Sequence, residues 1–291
     1  MSIATPDISI IIVTWNVREL LRANLNQLYS LTSACTSEIF VVDNHSHDGT
    51  AYMVRQQFPN VKLITNNWDA GFAGPNNQAL RLAKGKVIIL LNPDMLVEPG
   101  ALEKTYEKLM TEPSIGVVGI KLLGQNGLPI GSVRRYPDIL SQLAIILKLG
   151  RLFPCLLDHY LYKDFDYAQS QNVDQVRGSF FAFRGELLTN IGYLDPGYHI
   201  WFEEVDYCLR AKQAGYCVHY LAEASAHDYV GKGVAQMKHL EKQLIFTASM
   251  IRYFRKWQPN WQTLLLILAR PFGLVTAWLA DVKNACLHRP V

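Results

Sequence analysis

Charge is what this chain of 291 residues has least of: Asp, Glu, Lys and Arg together make up 18% of it, against roughly 25% in an ordinary soluble protein. The 28 basic and 25 acidic side chains nearly cancel, leaving a formal net charge of +3, so binding to nucleic acid driven by phosphate neutralisation is excluded. Disorder is excluded too, because 49% of the residues are hydrophobic and can form a core. The five cysteines, at positions 35, 155, 208, 217 and 286, include no Cys-x-x-Cys pair and have no close His companion at zinc-ligand spacing. Neither a disulfide scaffold nor a zinc module is indicated, and a reducing compartment is expected. Gly-x-Gly-x-x-Gly and Gly-x4-Gly-Lys-[Ser/Thr] loops are also missing, so a nucleotide bound here is not held as in a dehydrogenase or a P-loop enzyme. No basic residue precedes the first apolar run, which gives way to Asn16, Arg18 and Glu19; it reads as a first strand, not a signal peptide.

What the chain does have is a repeated strand-then-helix plan. The β-branched run Ile8–Thr14 ends at Trp15-Asn16 and leads into a helical pattern of Leu20, Leu21, Leu25 and Leu28. Residues 38–43 repeat this, followed by the turn cluster 44–49 and a helix over 51–58. Residues 61–65 form a third strand, with Gly71 and Gly74 in its turn and a helix over 76–83. Val87–Leu91 is the fourth, broken by Asn92-Pro93-Asp94 before Pro99 opens a helix through Met110. Four such units predict an α/β protein with a mostly parallel sheet covered on both faces, and ligands bind such sheets at the carboxyl ends of the strands. The second half is less regular. Residues 139–155 are apolar with helical period and are expected to lie over the sheet, and 173–184 read as a strand with Gly178-Ser179 where a backbone approaches closely. Asp195-Pro196-Gly197 is a turn, 202–215 a helix capped by Gly215, and 216–220 a strand, with His227 in the loop beyond. Val234, Met237, Leu240, Leu244, Ala248, Ile251 and Phe254 then repeat at three or four residues, an amphipathic helix of about six turns.

The strand ends collect Thr14 and Asn16; Asp43, Asn44, Ser46 and Asp48; residues 69–77; and Asn92 and Asp94. Each alone is a turn former, but four clusters on one edge point to a site. An acid at a strand tip, as Asp43 is, can accept the imide N–H of uracil or thymine, or ribose hydroxyls. Asp94 with the distant His227 could offer oxygen and imidazole ligands to Mn²⁺ or Mg²⁺, a diphosphate completing the shell; spacing alone is equally met by a turn and a loop histidine. Glu203, Glu204 and Asp206 crowd one helical turn. Asp206 and Arg210 are i, i+4 partners and read as structural, whereas Glu203 and Glu204 stand about 100° apart on the helix, so one can face a site while the other complements the helix dipole.

Taken in order, Ile-Val-Thr-Trp-Asn16, Val-Asp-Asn-His-Ser-His-Asp-Gly-Thr50, Asp69-Ala-Gly-Phe-Ala-Gly-Pro-Asn-Asn77, Leu-Leu-Asn-Pro-Asp94, Gly178-Ser-Phe-Phe-Ala-Phe-Arg184 and Trp-Phe-Glu-Glu-Val-Asp-Tyr-Cys-Leu-Arg210 resemble the inverting family 2 glycosyltransferases, and within them the rhamnosyltransferase-like branch, over about residues 8–256. The resemblance implies a GT-A fold, a nucleotide-diphosphate sugar donor (dTDP- or UDP-linked) and a divalent metal, Mn²⁺ or Mg²⁺. It places Thr14, Asn16, Asp43 and Asp48 in the nucleotide pocket, with Asp43 reading the base, and Gly71, Phe72 and Asn76 over base, ribose or diphosphate. Asn92-Pro93-Asp94 stands where the family has Asp-x-Asp, which makes Asp94 the metal carboxylate and Asn92 its donor-side companion, and His227 matches the later histidine that completes the metal or diphosphate site. Glu203-Glu204 matches a Glu-Asp motif whose second member is the general base. The base is therefore Glu204, with Glu203 the alternative, and the departure from Asp puts a longer side chain there. The activity implied is transfer of a sugar, rhamnose in this branch, to a hydroxyl of a saccharide or lipid-linked saccharide in cell-surface polysaccharide synthesis. The competing reading, raised by the Glu204 departure, is a catalytically weak nucleotide-sugar-binding subunit of a glycan assembly complex.

Residues 264–280 are the most apolar stretch, 17 residues interrupted by Arg270-Pro271, short of the ~20 a spanning helix needs. A membrane-interfacial helix is the first expectation and a buried or oligomerising one the second, with Arg252, Arg255, Lys256, Trp257 and Trp261 suited to an anionic headgroup region. This divides the chain into a glycosyltransferase domain, 1–233, and a helical appendage, 234–291, located in the cytoplasm or peripherally on the inner face of the cell membrane, with room for a homodimer. Lys121, Arg134 and Arg135 could meet an anionic acceptor, although solvated surface charges are the plainer account.

Overall fold

The structure, a computed structural model, describes residues 5–31, 33–229 and 236–287. β1 (Ile8–Thr14) and β4 (Val87–Leu91) are aliphatic runs buried almost throughout, as central strands with both faces covered must be. The first half alternates as expected: β1, α1 (Arg18–Ser30), β2 (Ser37–Asn44), α2 (Thr50–Gln57), β3 (Lys62–Asn66), α3 (Ala73–Leu80), β4, a short β5 (Met95–Val97) and α4 (Ala101–Thr111). There follow β6 (Ile115–Leu123), β7 (Val133–Arg134), α5 (Ile139–Ile146), α6 (Cys155–Asp158), β8 (Gln171–Val173), β9 (Gln175–Val176), β10 (Phe180–Arg184), α7 (Leu187–Asn190), α8 (Glu203–Gln213), β11 (Cys217–Asp228), α9 (His239–Trp257) and α10 (Asn260–Leu287).

The main sheet runs β3-β2-β1-β4-β10-β6-β11-β5, with β8 on β11. β3, β2, β1, β4, β6 and β11 point one way, while β10, β5 and β8 oppose them, so the sheet is mostly parallel. From β1 the chain winds outward through β2 to β3 and then returns to place β4 on the other side of β1. That reversal is a switch point, where helices diverge and leave a crevice beyond the carboxyl ends of β1 and β4. Antiparallel β10 brings its start to the same edge, with Phe180 opposite Leu91. Side chains alternate between two cores, Ile10, Ile12, Phe180 and Ala182 on one face and Ile11, Phe181 and Phe183 on the other, as a two-residue period requires.

A third core is helical. Phe202 and Val205 at α8 pack with Met250, Tyr253 and Phe254 of α9 and Leu266 of α10, and Ile146 of α5 joins them. Residues 139–155 thus do not lie over the sheet as expected; α5 packs against the C-terminal helices, whose apolar face its own face matches. The strand expected over 173–184 is three pieces, because β8 pairs β11, β9 pairs β7 and β10 pairs β4 and β6. β9 crosses the sheet at Gly119, where a Cβ would stand 2.4 Å from Val176 Cβ. His227 is in β11, not a loop. Nor does Arg270-Pro271 interrupt α10: Arg270 Nε donates to Thr247 Oγ1 at 3.0 Å, and Gly273 lets the helix approach Gln243 and Ile146, so packing on α9 and α5 carries it through the proline. Of the amphipathic repeat, Val234 lies outside the described residues, and the helix begins at His239.

Asp206 pins α8 to α9. Fully buried, it accepts Arg210 Nε at 2.8 Å, Trp257 Nε1 at 2.7 Å and Lys256 Nζ at 2.7 Å. Removing one partner of a buried charged network strands the others, so Asp206→Ala is expected to lower unfolding stability by about 3 kcal/mol, read as a drop in the urea midpoint; a shift under about 1 kcal/mol would deny Asp206 this role.

Candidate functional site

The crevice at the ends of β1 and β4 holds a cavity of about 140 Å³ lined by Thr14, Trp15, Asn44, Asp69, Gly71, Phe72, Asn92, Pro93, Asp94, His199, Ile200 and Met237. Asn44, the last residue of β2, shapes one wall: its amide donates to Asp69 Oδ1 at 2.6 Å and to the Gly71 carbonyl at 3.0 Å and accepts from Ala70 N–H at 3.1 Å. Gly71 has φ +73°, and a Cβ there would stand 2.2 Å from the His199 carbonyl oxygen, so only glycine fits this close approach. Phe72 N–H donates to that same carbonyl at 2.5 Å. His199 Nε2 lies 3.5 Å from Asp69, and this pairing raises the histidine's pKa and lowers the aspartate's.

The nucleotide-side residues expected from sequence play two kinds of part. Thr14, Gly71, Phe72 and Asn92 line the cavity, and Thr14 Oγ1 is buried without a hydrogen-bond partner among the described residues. Asp43 is buried at the tip of β2 with Oδ1 unpartnered; burial raises its pKa and Ser46 partly offsets this. Asn16 and Asp48 instead tie loops together. Asn16 Oδ1 accepts His47 N–H at 2.7 Å, while Asp48 accepts the N–H groups of Arg18 at 2.9 Å and Thr50 at 3.1 Å, fixing the starts of α1 and α2. Asn76 is buried in α3 and donates to the Phe72 carbonyl at 2.9 Å, so it supports the loop over the cavity from behind.

Asp94 is buried and faces the cavity. His227 does not line it; Nε2 pairs with Glu98 at 3.0 Å. Successive strand residues face opposite sides, and the next residue, Asp228, is buried opposite Met95, with Arg177 Nη1 3.6 Å from its Oδ2. Tyr229 N–H donates to the Asp94 carbonyl at 3.2 Å. The sequence reading missed Asp228 because it sits one position from the histidine singled out. Among the described residues no three His, Cys, Asp or Glu side chains gather as a metal cage. One buried carboxylate beside an amide on a cavity wall fits a hard divalent cation that takes its remaining ligands from a diphosphate and water.

A second cavity, of about 410 Å³, opens on the other side of residues 199–201. Glu204 lines it with Trp201, Arg134, Lys148, Arg177, Lys242, Gln243 and Phe246. Glu204 is half-buried beside Gly178, where an added Cβ would stand in ordinary contact, 3.7 Å from its side chain. Its Oε2 has no hydrogen-bond partner among the described residues. Burial raises its pKa, and the charges of Arg134 and Arg177 limit the rise. Glu203 is buried away from both cavities, and burial, with the neighbouring Glu204 charge second, pushes its pKa well above the usual carboxylate range. Trp201 and Phe202 enter α8 with φ +67° and +71°, a costly conformation for bulky residues, held by Ser249 Oγ donating to the Ile200 carbonyl at 2.9 Å and by the helical core around Phe202. His199, Arg177, Lys148 and Lys242 were not singled out from sequence, and Trp201 only as the opening residue of the motif that ends at Arg210; their position in space marks them.

The family model for glycosyl transferase family 2 matches residues 9–191. O-antigen biosynthesis protein RfbC of Myxococcus xanthus is 26% identical over 215 residues, 72% of this chain, which spans only 16% of that protein's length. N-acetylglucosaminyl-diphospho-decaprenol L-rhamnosyltransferase of Mycobacterium tuberculosis is 24% identical over 225 residues, 72% of this chain and 73% of that one. In fold, a mannosyltransferase from Pyrobaculum calidifontis, solved with GDP-Man and Mn²⁺, superposes with a TM-score of 0.60 at 20% identity, covering 99% of this chain and 77% of that one. Because the family match runs from β1 to the end of α7 and takes in the strand ends that build the crevice, the chain belongs to glycosyl transferase family 2.

Proposed function

We propose that the protein transfers a sugar from a nucleotide-diphosphate donor to an acceptor hydroxyl with inversion, in the synthesis of a cell-surface polysaccharide. The observation that carries this reading is the pair of cavities on either side of residues 199–201, with Asp94 in one and Glu204 in the other. The donor occupies the crevice at β1 and β4, and the acceptor enters beside Glu204. A hydroxyl is far too weak an acid to ionise at neutral pH, so Glu204 takes its proton as it attacks the anomeric carbon. Attack from the Glu204 side expels the diphosphate on the opposite side, and a single displacement of this kind inverts the centre. A divalent cation held by Asp94, with Asn92 alongside, would offset the charge gathering on the leaving diphosphate. Thr14 and Asp43 hold the nucleoside by their unpartnered oxygens, and the Asn44-supported loop 69–72 closes over it.

A dTDP-linked rhamnose is the donor we favour, on the likeness to a rhamnosyltransferase. Thermal shift with dTDP, UDP and GDP, with and without Mn²⁺, tests it: one nucleotide should raise the melting temperature more than the others, and more with metal. No shift with any of them would overturn the donor assignment.

Residues 1–233 carry the donor chemistry, and the helices beyond complete the acceptor wall and meet a membrane. α10 is long and apolar enough to cross a bilayer by length and composition, and Leu264, Leu268, Phe272, Val275, Trp278 and Leu279 are exposed along it. Such a face with arginines and lysines of α9 nearby suits the cytoplasmic surface of an anionic bilayer. Co-sedimentation with phosphatidylglycerol vesicles is expected; a monodisperse protein that stays in the supernatant would rule this out.

A further inference from the structure

The second cavity carries more positive charge than its carboxylates need. Arg134, Lys148, Arg177 and Lys242 line it with Glu204 as the one acid. Arg177 also faces Asp228 at 3.6 Å, which still leaves an excess of two cations. Arg134 spends its guanidinium on the Tyr160 ring, 5.5 Å from its centroid, and among the described residues forms no carboxylate pair. Lys148 is half-buried, and desolvation lowers its pKa; its Nζ donates to Gln243 Oε1 at 2.9 Å. That bond turns the Gln243 amide so that Nε2 is buried against Gly273 of α10, without a hydrogen-bond partner among the described residues. Cations from β7, α9 and the segments just after α5 and β9 converge on a volume within the range of small-molecule sites, roughly 300–1,000 Å³. Uncompensated cations in a partly buried cavity are costly unless an anion completes them.

We propose that this cavity is an anion site that holds a phosphate or diphosphate carried by the acceptor, with Lys148 and Lys242 as its contacts. It rests on the reading of this side as the acceptor's. The acceptor is then an acidic one, and its charged group sits at the base of the cavity while its hydroxyl reaches Glu204. Gly273 sets α10 directly behind Gln243, where a Cβ would stand 2.8 Å from Nε2, so the apolar helix adjoins the anion site. A charged group with an apolar carrier is matched by both features together. The phosphate of a lipid headgroup offers the same chemistry, and the test separates the two sources.

Calorimetric titration of the full chain with geranyl diphosphate, in chelator and without vesicles, should show saturable binding that geraniol does not. Lys148→Gln and Lys242→Gln are each expected to weaken it about tenfold, the scale of one lost hydrogen bond to a charged group, and Lys163→Gln, a remote surface change, not at all. Binding of dTDP or UDP with Mn²⁺ should be the same in all variants, which reports an intact fold and keeps this outcome separate from that of the donor assignment. Equal affinity for geranyl diphosphate in the Lys148→Gln/Lys242→Gln double variant would overturn the proposal. So would a variant that loses adhesion to phosphatidylglycerol vesicles while keeping the soluble diphosphate, since the cations would then serve a headgroup.

Discussion

Glu204→Gln is expected to lower the transfer rate by about 10²–10⁴-fold, the usual range for a lost general base, while leaving nucleotide binding unchanged. The amide keeps the shape and a hydrogen-bonding oxygen in the 410 Å³ cavity but cannot take the acceptor's proton. Glu203→Gln is the discriminating control, because Glu203 is buried away from both cavities. Its loss removes a neighbouring acid from Glu204 and should cost little activity. A slow Glu203→Gln variant beside an active Glu204→Gln variant would reverse the assignment. The pH profile carries the same logic. On the proposed mechanism the active form is the Glu204 carboxylate, and burial raises its pKa, so the rate should fall on the acid side at a pH above that of an exposed glutamate. Arg177→Met removes one of the charges that limit the rise, and the acid limb should move to higher pH. Burial also lifts Glu203. Its contribution to stability is therefore full below the unfolded-state pKa and lost as pH rises through the folded one, and Glu203→Gln should be no less stable than the parent at pH 7.

The strand-end crevice was legible in the sequence because two independent patterns agree there. Aliphatic runs such as 87–91 are long enough to be strands and too short for helices, and each ends in residues that both turn the chain and carry polar groups. Thr14, Asn92 and Asp94 follow from that, Gly71 and Phe72 are implied by the family resemblance, and all five line one cavity. Parity is what the sequence conceals. His227 stood out as a ligand type, yet in β11 its side chain turns to Glu98 while Asp228 turns inward, and nothing local says which of two neighbours faces a site. Arg134 read as a surface charge for a related reason: the cavity that gives it meaning is assembled from residues as far apart as 131 and 246. Pro271 misled in the opposite direction, since a proline's local cost is real but Arg270 and Gly273 anchor the helix on both sides of it.

Asp94→Ala should abolish metal-dependent transfer, a loss of at least about 10³-fold if the cation supplies several kcal/mol of charge stabilisation to the leaving diphosphate. The binding readout is separate: the nucleotide's thermal shift should persist without Mn²⁺ and lose the increment that Mn²⁺ adds. Asp94 is the cavity carboxylate nearest the end of β4, and truncating it takes away a hard oxygen ligand that neither Asn92 nor Thr14 replaces in charge. The same experiment decides between its neighbours. If His227 completes the metal or diphosphate site, as the family resemblance implies, His227→Ala should match Asp94→Ala in both readouts. With the imidazole held by Glu98 outside the cavity, we expect instead a loss under about tenfold, and a larger one for Asp228→Asn, whose carboxylate lies between the Asp94 turn and Arg177. Full activity in Asp94→Ala, with an unchanged response to Mn²⁺, would remove the donor diphosphate from this crevice altogether. Loss of activity with the metal increment intact would keep the nucleotide there but shift the cation to other ligands.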